Sequence, residues 1–184
     1  MSDTQKIIEQ IDLQTRNLLN IRALFPAIED EMVGKSKFST APFYQNKGLD
    51  IVFNFSVPLT LEKIQEINEI GRWVNQSFII RLCALLESYH ILSKNEKERI
   101  NQNIDGHEDV DILRRLRNVI AHTSGRYNSK NKEERKLYER IVEKYSIVAD
   151  SPEIANEFPL HIHTFLLPVA EGCKRYVIGF HSPS

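Results

Sequence analysis

The sequence predicts a mainly all-α protein, a helical bundle built around a long buried central helix, with at most a short strand or hairpin added. Three observations carry this. Apolar residues recur at helical spacing in five segments that cover more than half of the 184 residues. Gly and Pro number only 7 each, too few for a loop-rich chain. A period of two occurs in only two short stretches. The length fits a single domain over 1–184, since domains typically hold roughly 100–200 residues. Residues 1–58 read as an N-terminal helix with an extended segment, and 60–180 as the core bundle.

In chain order, residues 3–24 form the first helix. Ser2 or Asp3 caps it, and Ile7, Ile8, Ile11, Leu18 and Leu19 make one apolar face. Pro26 ends it. Residues 31–50 read as an irregular connection punctuated by Gly34, Pro42 and Gly48. Gly34-Lys35-Ser36 is not a phosphate loop, because the first glycine of that motif would fall at Glu29. Lys35, Lys37 and Lys47 interleave there with Phe38, Phe43 and Tyr44. That composition fits either a contact to single-stranded nucleic acid or a surface loop with its aromatics tucked in. Residues 50–57 alternate, with Ile51, Phe53, Phe55 and Val57 on one side, and a strand is expected.

Residues 60–94 are the longest helical stretch, capped by Thr60, with Gly71 the place for a kink. From Trp73 to Leu92 the pattern is apolar almost all round, including Trp73, Phe78, Ile80 and Leu86. Such a helix is buried in a bundle or at a subunit contact. Glu87 within it needs a partner, which an arginine at 114–117 can supply, either as a structural ion pair or as a supporting carboxylate of a site. Residues 95–109 read as a helix end and loop, 111–121 and 131–145 as helices. Residues 150–163 read as a small strand or hairpin arm, with Phe158, Leu160 and Ile162 set against His161 and His163. Those two histidines have no third ligand nearby, so neither a metal nor a cofactor is expected. A last helix runs from Thr164 to about Phe180.

Charge narrows the function classes. Lys and Arg total 24 against 25 Asp and Glu, a net charge of −1, so any nucleic-acid site must be a local basic patch. No apolar run reaches the roughly 18 residues of a membrane span, and the first residues carry no signal-type apolar run. Cys83 and Cys173 are far apart with no C-x-x-C, which fits a reducing, cytoplasmic setting.

Chemistry concentrates between Asp111 and Tyr127. Ile112, Leu116, Val119 and Ile120 fall on one side of a helix, while Arg114, Arg115 and Arg117 crowd the others. Asn118 and His122, four apart, share a face, and Gly125 stands where a helix stop belongs. Arg117 and His122 are five apart and point about 140° away from each other. Two arrangements let them serve one substrate atom: a helix broken near this point, or a second copy of the chain completing the site.

Arg117-Asn118-Val119-Ile120-Ala121-His122 resembles the signature of the HEPN superfamily, an arginine followed after four to six residues by histidine, often with a polar residue directly after the arginine. Leu85-Leu86-Glu87-Ser88-Tyr89 resembles the helix such domains place before the motif, and the likeness covers about 60–180. The resemblance implies a small helical bundle that dimerises. It also implies a metal-independent endoribonuclease that serves as a toxin, in phage defence or in RNA processing, with an antitoxin or other regulatory protein as a partner. The alternative it carries is an inactive module binding RNA, a nucleotide or a protein. In one subgroup a tyrosine follows the histidine by two positions and is modified by a partner enzyme. Ser124 stands there in this chain and the nearest tyrosine is Tyr127, so that route is not implied.

The residue types fit the chemistry. RNA supplies its own nucleophile, the 2′-hydroxyl. Imidazoles exchange protons near neutrality, so His122 suits general acid or base work. Arg117 matches phosphate oxygens with a planar, permanently charged fork, and Asn118 can orient the phosphate or the histidine. Arg114, Arg115, Arg126, Lys130 and Lys132 can take flanking phosphates. Confined to helix capping or pairing, the same residues would be only structural.

Overall fold

The computed structural model describes residues 2–40, 51–93, 100–123 and 125–182. The protein is mainly helical: α1 (Asp3–Leu24), α2 (Leu61–Ser88), α3 (His107–Thr123), α4 (Lys132–Lys144) and α5 (Leu167–His181), with β1 (Lys37–Thr40) and β2 (Ile51–Asn54) as a two-stranded antiparallel sheet. The chain divides into two compact units, one of Met1–Thr15 and Gln76–Ser184, the other Arg16–Asn75. The boundaries between the units fall inside α1 and α2.

In the smaller unit, Ile28, Leu59 and Ile64 form the apolar centre, with Met32, Phe38, Phe55 and Ile67 packed on it. The region expected to be an irregular connection contributes a strand instead. Phe38 pairs with Phe53 in the ladder, and the two rings stack at 4.9 Å. Cross-strand aromatic pairing of this kind stabilises a short hairpin that local propensity alone would leave open. The alternation over 51–55 holds, but Val57 is 67% exposed, because the ladder has ended before it. Phe43, Tyr44 and Lys47 lie outside the described residues. The Asn68 amide binds both backbone groups of Ile28, donating to its carbonyl and accepting from its N–H, each at 2.8 Å. α2 runs through Gly71 without interruption. Gly71 is needed for another reason: the buried Arg22 guanidinium lies across it, in space a side chain would fill.

The larger unit holds the main core. α3 packs most extensively on α5 and then on α4. Val110, Leu113, Leu116, Phe165, Val169, Cys173 and Val177 are completely buried. α3 begins four residues earlier than the apolar pattern indicates, at His107, because Gly106 turns the chain with φ +83° directly against the Gly172 carbonyl. The apolar content of α2 does not translate into burial all round. Phe78, Ile79, Leu82, Cys83 and Leu86 are inside, whereas Ile80 is 40% exposed, and in the smaller unit Trp73 is 72% exposed. Packed elements cover one stripe of the helix, not its whole girth.

The arm expected at 150–163 is not a strand. Among the described residues its one ladder contact is a bridge between Arg126 and Glu157, and from Ile162 to Leu166 the chain forms a π-helical turn leading into α5. Pro159 withholds a ladder donor, and the backbone N–H groups of Phe165 and Leu166 both turn back to the His161 carbonyl. His161 and His163 therefore do not share a strand face, and no group of three or more potential metal ligands exists among the described residues.

Helix ends follow known motifs. At the end of α2, Ile91 N–H binds the Leu86 carbonyl at 3.0 Å and His90 N–H binds that of Glu87 at 3.1 Å, with His90 at φ 57°. α4 ends the same way around Ser146 at φ 50°. These are Schellman caps with side-chain-bearing residues where glycine is favoured. α4 starts with the Asn131 side-chain oxygen accepting from Glu133 and Glu134 N–H, while its side-chain amide donates to the Glu134 carboxylate at 2.8 Å and its backbone N–H to the Asn128 carbonyl at 3.0 Å.

Ser146→Gly should raise stability by about 0.5–1 kcal/mol in urea unfolding, by removing a left-handed side-chain-bearing residue. Gly172→Ala should lower it by about 1–3 kcal/mol, because the new methyl overlaps the Asp109 carboxylate.

Candidate functional site

The site residues sit on the solvent side of α3, and its orientation is set from the other side. Asp109, 2% exposed, lies on the core face over Gly172. It accepts a hydrogen bond from the hydroxyl of Tyr145, the residue that caps the end of α4, and Arg175 of α5 approaches it at 3.4 Å. Burial, reinforced by the Asp109 contact, pushes the Tyr145 phenol far above its ordinary range. These bonds fix how α3 is turned about its axis.

With α3 so held, Arg117 meets α2. Its Nη2 donates to Glu87 Oε1 at 3.0 Å and its Nη1 to Asn118 Oδ1 at 2.9 Å. Glu87 is largely covered, with 12% of its side chain exposed, and Arg117 keeps 36%. The guanidinium is thus gripped at both tips while its remaining donors stay available. The Cys83 thiol approaches the same Glu87 oxygen at 3.8 Å, and burial, with the Glu87 charge adding to it, pushes that thiol up to about 12. It is a core residue and no nucleophile.

His122 lies in the last turn of α3, exposed, with no hydrogen bond or ion pair among the described residues. The helix is continuous from 107 to 123, so the angular separation of Arg117 and His122 is not relieved by a break. Ser124 lies outside the described residues. Gly125 follows with φ +76°, ending the helix where the sequence placed the stop. Tyr127 is buried against the rings of Tyr138 and Phe158, at 4.9 and 5.3 Å, with its hydroxyl enclosed.

The five basic residues expected to take phosphates fall into two groups. Arg126, Lys130 and Lys132 are exposed, and their side chains have no ion-pair partner among the described residues. Arg114 and Arg115 are engaged with Asp111, at 3.3 and 3.0 Å. Arg140 of α4 binds the same carboxylate at 2.6 Å, tying α4 to α3. Sequence reasoning missed Asp109, Asp111 and Arg140. For Asp109 a signal existed: it falls on the same helical face as Leu113, Leu116 and Ile120, which marks it as buried. For Arg140 none did, since its partner lies on another helix.

Burial pushes the Asp111 carboxyl up, but the Arg140 and Arg115 hydrogen bonds and charges outweigh it and hold the group below its ordinary value. A depressed folded-state value stabilises the fold fully above the unfolded carboxylate range, about pH 4. The contribution disappears as pH falls through the folded-state value. Asp111→Asn should therefore flatten the acid limb of a stability-versus-pH curve measured by chemical denaturation, and an unchanged limb would refute the clamp. A double-mutant cycle of Glu87→Gln with Arg117→Gln should return a coupling of about 1 kcal/mol.

Compared with known proteins, the chain matches no family model, no curated protein and no solved structure.

Proposed function

We propose that the chain is a metal-independent endoribonuclease of the HEPN type, acting as a homodimer, with Arg117, Asn118 and His122 as its catalytic residues. The observation that carries the reading is the presence on one continuous helix of a guanidinium fixed by Glu87 and Asn118 and an exposed imidazole with no partner among the described residues. Positioning a cation in advance is what stabilising a developing phosphorane requires. An exposed imidazole is free to accept and return protons.

In the reaction, one His122 takes the proton of the 2′-hydroxyl as its oxygen attacks the adjacent phosphorus. Arg117 donates hydrogen bonds to the equatorial phosphorane oxygens. The 5′-oxygen leaves with a proton from an acid, and the products are a 2′,3′-cyclic phosphate and a free 5′-hydroxyl. With α3 unbroken, a second copy supplies the other His122, so the two imidazoles divide base and acid duties. No step requires a metal, because the substrate carries its own nucleophile. Arg126, Lys130 and Lys132 steer the flanking backbone. The biological role that suits such a nuclease is a toxin or phage-defence effector in the cytoplasm, held by an antitoxin or other regulatory protein.

A second reading, a non-catalytic module binding RNA, a nucleotide or a protein, is favoured by one observation: Asp111 already engages Arg114 and Arg115, which reduces the local positive surface.

In EDTA, the wild-type chain should cleave RNA to 2′,3′-cyclic phosphate ends and spare a 2′-deoxy substrate, and His122→Ala should lose at least about 100-fold in rate. Equal cleavage by both removes His122 from the mechanism. Salt-sensitive RNA binding by wild type without cleavage transfers the assignment to the second reading.

A further inference from the structure

A cavity of about 610 Å³ opens beside Glu87, between the end of α2, the Ile100–Asn101 segment, α3 and α5. Its size lies in the range of small-molecule sites. The walls combine apolar and aromatic surface, Ile91, Ile100, Tyr176 and Phe180, with polar groups of Ser93 and Asn101. Its parts are held in place. The Schellman hydrogen bonds fix His90 and Ile91, and the Asn101 N–H donates to the Tyr176 hydroxyl at 3.1 Å. Phe180 is 42% exposed and leans on Tyr176 with ring centroids 6.2 Å apart, so it presents aromatic surface to a ligand.

The cavity is continuous with the Arg117 site through one residue. Glu87 takes Arg117 with Oε1 and lines the cavity, and no hydrogen bond engages its Oε2 among the described residues. Arg114, also in the lining, stands one helical turn before Arg117 and Asn118. Glu87 thus belongs to both places, so a strand whose phosphate is held by Arg117 passes beside a residue that lines the opening. Aromatic surface suits the face of a base. A carboxylate oxygen only accepts hydrogen bonds, so it suits an exocyclic amino group, as on cytosine or adenine, and not the C4 carbonyl of uracil.

We propose that this cavity receives the nucleobase next to the phosphate held by Arg117, stacking it on Phe180 and selecting an amino-bearing base over uracil through Glu87. The assignment rests on the nuclease reading for the position of that phosphate, and it adds single-strand dependence and base preference.

The test uses all-deoxy pentanucleotides of cytosine and of uracil, which lack the attacking hydroxyl and bind without being cut. Affinities are measured for the full chain, Phe180→Leu and Phe180→Trp, each checked for folding by circular dichroism. Phe180→Leu keeps apolar bulk and removes the ring. Expected are binding of cytosine at least about fivefold tighter than uracil, an about tenfold loss in Phe180→Leu, and retention in Phe180→Trp. Equal affinity for the two pentamers, no binding of either, or an unchanged Phe180→Leu overturns the proposal. The two readings fail separately. Cleavage of ribose RNA that is indifferent to base and to Phe180 refutes the pocket and leaves the nuclease. Base-selective deoxy binding with no cleavage of the ribose counterparts refutes the nuclease and leaves the pocket.

Discussion

The buried carboxylate of Asp109 is the constraint on which the larger unit depends. An unpartnered charge at that depth costs several kcal/mol, so the helices that satisfy it must be in place together. Tyr145 and Arg175 bring α4 and α5 to α3, and Gly172 supplies the room for the carboxylate. A bundle held only by apolar contacts tolerates rotation of a helix by part of a turn. A hydrogen-bonded carboxylate does not, because directional bonds break before packing does. The rotation of α3 is thereby set, and with it the direction of Arg117, Asn118 and His122.

The outward side of α3 shows how a chain of net charge −1 can still present a basic surface. Asp111 gathers Arg114, Arg115 and Arg140, which contribute to structure at the expense of free positive charge. Arg126, Lys130 and Lys132, past the end of the helix, have no ion-pair partner among the described residues. Arg117 is intermediate: anchored by Glu87 and Asn118, yet a third exposed. Anchoring lowers the entropy that binding an anion would take from it, at the cost of sharing its charge with a carboxylate.

Glu87 couples the parts of this region, since it reaches the Cys83 thiol, the Arg117 guanidinium and the cavity beside Phe180. A polar residue set into so apolar a helix is costly on its own, and the geometry gives it three neighbours to answer to.

Local sequence was enough for the helices, for an apolar face on α3 of which Ile112, Leu116 and Ile120 are buried while Val119 is only half-buried, for the stop at Gly125, and for the concentration of arginine, amide and imidazole around 117–122. Each is a local matter of 3.6-residue periodicity, capping preference or left-handed backbone, written in neighbouring residues. The tertiary structure alone decided that residues 37–40 are a strand, since their partner is 51–54, and that 158–163 are not one. It also decided that Trp73 and Ile80 remain exposed, because burial depends on which elements cover a helix and not on its own composition. Above all it decided which arginine pairs with which carboxylate: of the arginines at 114–117 expected for Glu87 it chose Arg117, and it set Arg140 on Asp111 and Arg175 on Asp109. Ion pairs across helices follow from packing geometry, and no spacing along the chain records it.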